Sequence, residues 1–206
     1  MESLTTTVIS VTALIAAVGT LIATIIKAKK EIENTLPRKI QKQCSIDMEI
    51  TNKMEDLKEF VQADRVQIYD FHNGGHYANG RSALKTSCTF EVVRAGIKSH
   101  QKELQAVPLS CIPSFIRTLL NEKQMKVSNL EDIKISMPAT YGLKKGQEIG
   151  SFFDIILNNK NGDPIGFLAL QFTKINCVNF SNDEMNEILK LKFFIEENLE
   201  KMVSKK

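Results

Sequence analysis

No pair of cysteines in this chain stands at Cys-x-x-Cys spacing. That absence removes the common zinc and dithiol motifs. The four cysteines, Cys44, Cys88, Cys111 and Cys177, are read instead as buried, reduced thiols. Charge of one sign is also lacking. A net charge of only +3 argues against nucleic acid as a partner, because that partner needs a strongly basic face. No glycine-rich phosphate loop opens a helix, and no serine, histidine and acid set has the spacing of a known nucleophile motif. The chain is therefore not read as an enzyme, and no cofactor can be named for it. Internal repeats and low-complexity segments are absent. What remains is a 206-residue chain, 43% apolar, with enough material for one ordinary core and an appendage.

The appendage comes first. Leu4 to Ile26 reads LTTTVISVTALIAAVGTLIATII and carries no charge. Its length of about 23 residues spans roughly 34 Å as a helix, enough for a bilayer core. A cleaved signal peptide would need a basic start, but the chain opens Met-Glu-Ser. Lys27, Lys29 and Lys30 follow the apolar run, so the positive-inside rule puts the rest of the chain in the cytoplasm. The reading is a single-pass anchor in the inner or plasma membrane. The small-xxx-small pairs Ala13/Ala17 and Gly19/Ala23 would allow close helix contact and a homodimer.

Pro37 marks a break. Beyond it, Ile46, Ile50, Met54, Leu57 and Val61 make one apolar helical stripe. Arg65 to Phe71 and Ala83 to Val93 alternate as strands. Ile112 to Leu120 reads as a short helix, Gln124 to Asp132 as a strand and loop, and Ile133 to Gln147 as a loop broken by Pro138, Gly142 and Gly146. "GSFFDIIL" and "IGFLALQFT", joined by "NNKNGDP", form a hairpin. Ser181 caps a last helix with Asp183 and Glu184 in its first turn. Few helical crossovers separate the strands. The order predicts an α+β fold with an antiparallel sheet. The expected divisions are an anchor at 1–30, a linker helix at 31–62 and a domain at 63–206.

This order resembles a GAF domain, a small sensor fold. "FFDIILNNKNGDPIGFLALQFT" is similar to the family's penultimate hairpin, with Gly162, Asp163, Pro164, Ile165 and Gly166 at its turn. "FSNDEMNEILKLKFFIEENLEKM" resembles the closing helix, "ADRVQIYDF" the first strand, and "IPSFIRTLLNEKQMKVSNLED" the short helix before a strand. The resemblance implies a ligand held between the sheet and its covering loops: a cyclic nucleotide, a tetrapyrrole, a metabolite or a haem. It also implies dimers made through the first and last helices. The family's bilin-linking cysteine and its Asn-Lys-Phe-Asp-Glu motif have no counterpart here, so those ligand classes recede. A few members reduce free methionine sulfoxide with thiols, and that is the alternative function.

The stretch "FHNGGHYANG" carries His72 and His76 four residues apart. Gly74 and Gly75 between them argue against the helix that would aim both at one metal. Tyr69, Phe71, His72, Asn73, Lys85, Ser87, Thr89, Glu91 and Arg94 mix flat faces with hydrogen-bonding groups, and on adjacent strands they would line a ligand wall. The competing reading is a solvated strand face, glycine turns and a Glu91–Arg94 pair across a helical turn. The expected function is a membrane-anchored, cytoplasmic GAF-like sensor or scaffold that binds a small molecule or a protein partner. With no output module after Met202, a phage or mobile-element protein would share this architecture.

Overall fold

The computed structural model describes residues 2–33 and 35–202, with the side chains of residues 16–31 and 35–199. The chain divides into two compact units, Met1–Asp47 and Met48–Lys206.

In the first unit, α1 (Glu2–Glu33) is one continuous helix. Thr20 and Thr24 return their hydroxyls to the carbonyls of Ala17 and Thr20, both at 2.8 Å, which hides their polarity against the helix. Val18, Leu21, Ile22, Ile25 and Ile26 are exposed. Among the described residues no helix is long and apolar enough to cross a membrane. The side chains of residues 4–15, the first half of the expected span, lie outside those described. α2 (Leu36–Phe60) follows, with Pro37 in its first turn, where a missing N–H costs nothing.

The second unit is built on a sheet of β1 (Arg65–His76), β2 (Ser82–Val93), β3 (Val107–Pro108), β4 (Gln124–Val127), β5 (Ser151–Asn158) and β6 (Pro164–Phe172). Its order is β3-β2-β1-β6-β5-β4, and every neighbouring pair is antiparallel. α3 (Pro113–Glu122) and α4 (Pro138–Lys145) lie between β3 and β5 in sequence, and α5 (Asn182–Met202) closes the chain. The fold is α+β, as the order of elements implies.

Alternation divides the sheet into two buried faces. One gathers Tyr69, Cys88, Phe152, Ile156, Phe167 and Ala169 with α3 and the turns around it. The other carries Val66, Ile68, Phe153, Leu168 and Leu170, and α5 packs there against β5. α5 starts with a capping box. The Glu184 amide donates to Ser181 Oγ at 3.2 Å, and the Ser181 amide donates to Glu184 Oε2 at 2.7 Å.

Two expectations need correction. The segment read as a loop contains α4, because Pro138 opens that helix instead of breaking it, and Gly146 ends it by donating to the Gly142 carbonyl. The thiols are free, but only Cys88 is buried; Cys44 and Cys111 are exposed and Cys177 is half-buried. Turns and helix surfaces carry the other three, so apolar character alone did not bury them.

Candidate functional site

"FHNGGHYANG" extends the β1–β2 hairpin, and its residues are exposed from His72 onward. Asn73 Oδ1 accepts from the Gly75 amide at 3.0 Å, and Asn79 Oδ1 from the Arg81 amide at 3.1 Å. These side-chain turns bend the chain, and Gly75 (φ 102) and Gly80 (φ 78) supply the positive φ they require. The two histidines do not converge. His72 Nε2 meets Ser87 Oγ at 2.9 Å, while His76 lies across from Ser82. Among the described residues no three His, Cys, Asp or Glu side chains gather as a metal site.

The candidate ligand residues separate into groups. Tyr69 stands on the face that α3 covers and stacks on Phe167 at 4.4 Å. Phe71 packs at its edge, 6.0 Å from the same ring. Lys85 and Ser87 lie opposite His72 and Asp70 on β1, where strand alternation points them away from Tyr69. Ser87 also accepts from the Ala106 amide at 2.8 Å. Thr89 sits at a bulge in β2 and donates to the Ile68 carbonyl at 3.3 Å. Arg94 pairs with Asp64 at 3.2 Å instead of with Glu91.

Glu91 has a definite task. Its carboxylate accepts from the His100 and Gln101 amides at 3.0 Å, from Ser99 Oγ, and from Gln67 Nε2 at 2.7 Å. It thereby holds the segment between β2 and β3 against the sheet. Arg65 continues the lattice, donating to Gln171 Oε1 and to the Lys98 carbonyl, both at 2.8 Å. Gln67 Oε1 accepts from Tyr69 Oη at 3.0 Å and from Gln171 Nε2 at 2.7 Å. Burial pushes the Tyr69 phenol well above its ordinary value, so it stays a donor.

This lattice borders a cavity of about 30 Å³ between the sheet and α4. Phe115, Phe167 and Leu143 supply apolar wall, and Thr86, Lys144 and Gln147 bring polar groups into it. Lys144 is buried and donates to Asp154 Oδ2 at 3.0 Å, and its ammonium lies 3.8 Å from the Phe152 ring centre. Burial pushes the Lys144 ammonium down and the Asp154 carboxyl up. Thr86 Oγ1, Gln147 Oε1 and Asp154 Oδ1 are buried without a hydrogen-bond partner.

Of the residues singled out from sequence, Tyr69 alone lines this cavity. Thr86, Lys144, Gln147 and Gln171, which also line it, and Asp154, which pairs with Lys144, escaped notice. A signal existed for two of them: Asp154 and Gln171 are polar residues inside the apolar runs "FFDIIL" and "LALQF". Lys144 and Gln147 carried none, because α4, which bears Lys144 and precedes Gln147, was read as a loop.

No family model and no curated protein matches the chain. Solved structures do. A far-red cyanobacteriochrome photoreceptor aligns with a TM-score of 0.60 at 12% identity, over 86% of this chain and 98% of that one. The fold is GAF-like. The blue-light-absorbing form of the Thermosynechococcus elongatus PixJ GAF domain aligns at 0.59 with 12% identity, over 83% and 95% of the two chains. The phycoerythrobilin-bound GAF domain of a cyanobacterial phytochrome aligns at 0.55 with 16% identity, over 80% and 92%. At such identities the likeness extends to the fold alone.

Proposed function

We propose that this chain is a membrane-tethered GAF-like sensor module that binds a small ligand between its sheet and α4. The observation that carries the reading is that two unpartnered buried polar atoms, Thr86 Oγ1 and Gln147 Oε1, belong to residues of one cavity wall. Native interiors seldom leave such groups unpaired, and ligand sites are where they do. Tyr69 belongs to the site. Ser87, Thr89 and Glu91 support its outer wall by fixing β2 and the segment that follows it. A bilin of the kind held by one structural relative is far larger than the space present, where Phe115 and Phe167 already meet edge to face at 5.6 Å.

The tether is the apolar run of α1, whose described apolar side chains are exposed. A second copy is the partner we assign to the open groove between α2 and α5, which is lined by Lys53, Leu57, Glu187 and Lys190 and flanked by the exposed ring of Phe60. Thiol chemistry is the weaker reading. Burial pushes the Cys88 thiol up, away from the thiolate a nucleophile needs.

Thermal unfolding of the full chain across a metabolite library tests the ligand reading. At least one compound is expected to raise the midpoint, and the Thr86→Val/Gln147→Leu variant is expected to lose that response. A library with no stabilising compound would count against a small-molecule sensor.

A further inference from the structure

The unpartnered atoms around the cavity define what would complete them. Thr86 is only 2% exposed and Gln147 only 5%. Gln147 Oε1 is an acceptor, since its Nε2 donates to the Leu143 carbonyl at 3.2 Å. Thr86 Oγ1 can accept or donate. Lys144 has three ammonium protons, and Asp154 Oδ2 takes one of them. A complementary ligand therefore presents two donor hydrogens and one acceptor oxygen.

Charge narrows the choice. Lys144 is matched by Asp154, and Arg65 by Glu91 at 3.3 Å. An anion or a cation entering here would find no free counter-charge and would lose its hydration. The group is neutral. Size narrows it again. A cavity of about 30 Å³ holds roughly two waters, which matches the oxygen and nitrogen of one amide. Much of the remaining wall is apolar, including Leu104, Ile112, Phe115, Leu143 and Phe167, and the phenol of Tyr69 and the amide of Gln171 are already paired within the lattice.

We infer that the cavity beneath α4 recognises the primary carboxamide of a small, otherwise apolar molecule. The inference rests on the ligand-site reading above. The amide N–H groups point at Gln147 Oε1 and Thr86 Oγ1, and its carbonyl accepts from Lys144. The apolar remainder leaves past Leu143, which is 37% exposed and so stands at the mouth.

Three probes of similar shape separate the possibilities: propionamide, propionate and propylammonium. Each is titrated into the full chain, solubilised in detergent, while the Thr86 backbone amide and Gln147 side-chain amide resonances are followed by NMR. Propionamide is expected to shift both saturably and at least tenfold more tightly than either ion. Thr86→Val and Gln147→Leu, with melting midpoints no lower than that of the parent, are each expected to weaken it at least tenfold. If an ion binds as tightly as the amide, the carboxamide assignment falls and the ligand site stands. If no probe shifts these resonances, the cavity holds water only, and both the assignment and the site fall. Unchanged propionamide affinity in the two variants places the probe elsewhere and also overturns the inference.

Discussion

Lys144 and Asp154 are the buried ion pair beside the proposed ligand cavity. Both are fully inside, so neither charge is hydrated, and each is tolerable only because the other is 3.0 Å away. Lys144→Met would leave the Asp154 carboxylate buried without its partner. The expected cost is about 3–5 kcal/mol in urea unfolding, with much of it recovered in the Lys144→Met/Asp154→Leu double variant. The pH dependence has a definite sign. A carboxyl whose folded value is raised favours its protonated form inside the protein. Its folded state is therefore most favoured below the unfolded value and loses ground as pH rises through the raised one. Lys144→Met is accordingly expected to be less damaging at acidic than at neutral pH. An equal loss at both would mean that Asp154 is not left charged and buried.

Elements show which parts of the fold were legible. The β5–β6 hairpin, α3 and α5 could be read because each has a strong local signal: two apolar strand-forming runs around Asn-Gly, proline at a helix start, a serine cap. Gly166 shows how a residue in such a motif is fixed by tertiary contact. A side chain there would collide with the Tyr69 carbonyl across the β1–β6 pair. Gly166→Ala is expected to cost about 3 kcal/mol and to loosen the strand that carries Tyr69, measured as faster amide exchange in β1. Unchanged exchange would show that the two strands can part without loss. α4 was not legible, because proline and glycine serve a short helix as well as a loop. The cavity followed it out of view, since two of its polar groups sit on or just after that helix. Glu91 stood out by its chemistry, yet its role depends on backbone amides about ten residues away, which no local pattern records.

At the scale of the whole molecule, the proposed sensor would act through where it sits and what it meets. In that proposal the apolar run of α1 would give the place, and the α2–α5 groove a face for a second copy. Removing residues 1–30 is expected to shift the protein from the membrane fraction to the soluble one while it still sediments as a dimer. Retention in the membrane would remove the tether, and a monomer would remove the helix-paired dimer. Neither outcome touches the ligand site, which belongs wholly to the second unit.

The most direct measurement is native mass spectrometry of the full chain, extracted from the cells that make it, beside the Thr86→Val/Gln147→Leu variant. The expected result is one small molecule retained by the parent chain and absent from the variant at equal melting temperature. A parent chain that carries no added mass, or a variant that carries the same mass, would contradict a ligand site beneath α4.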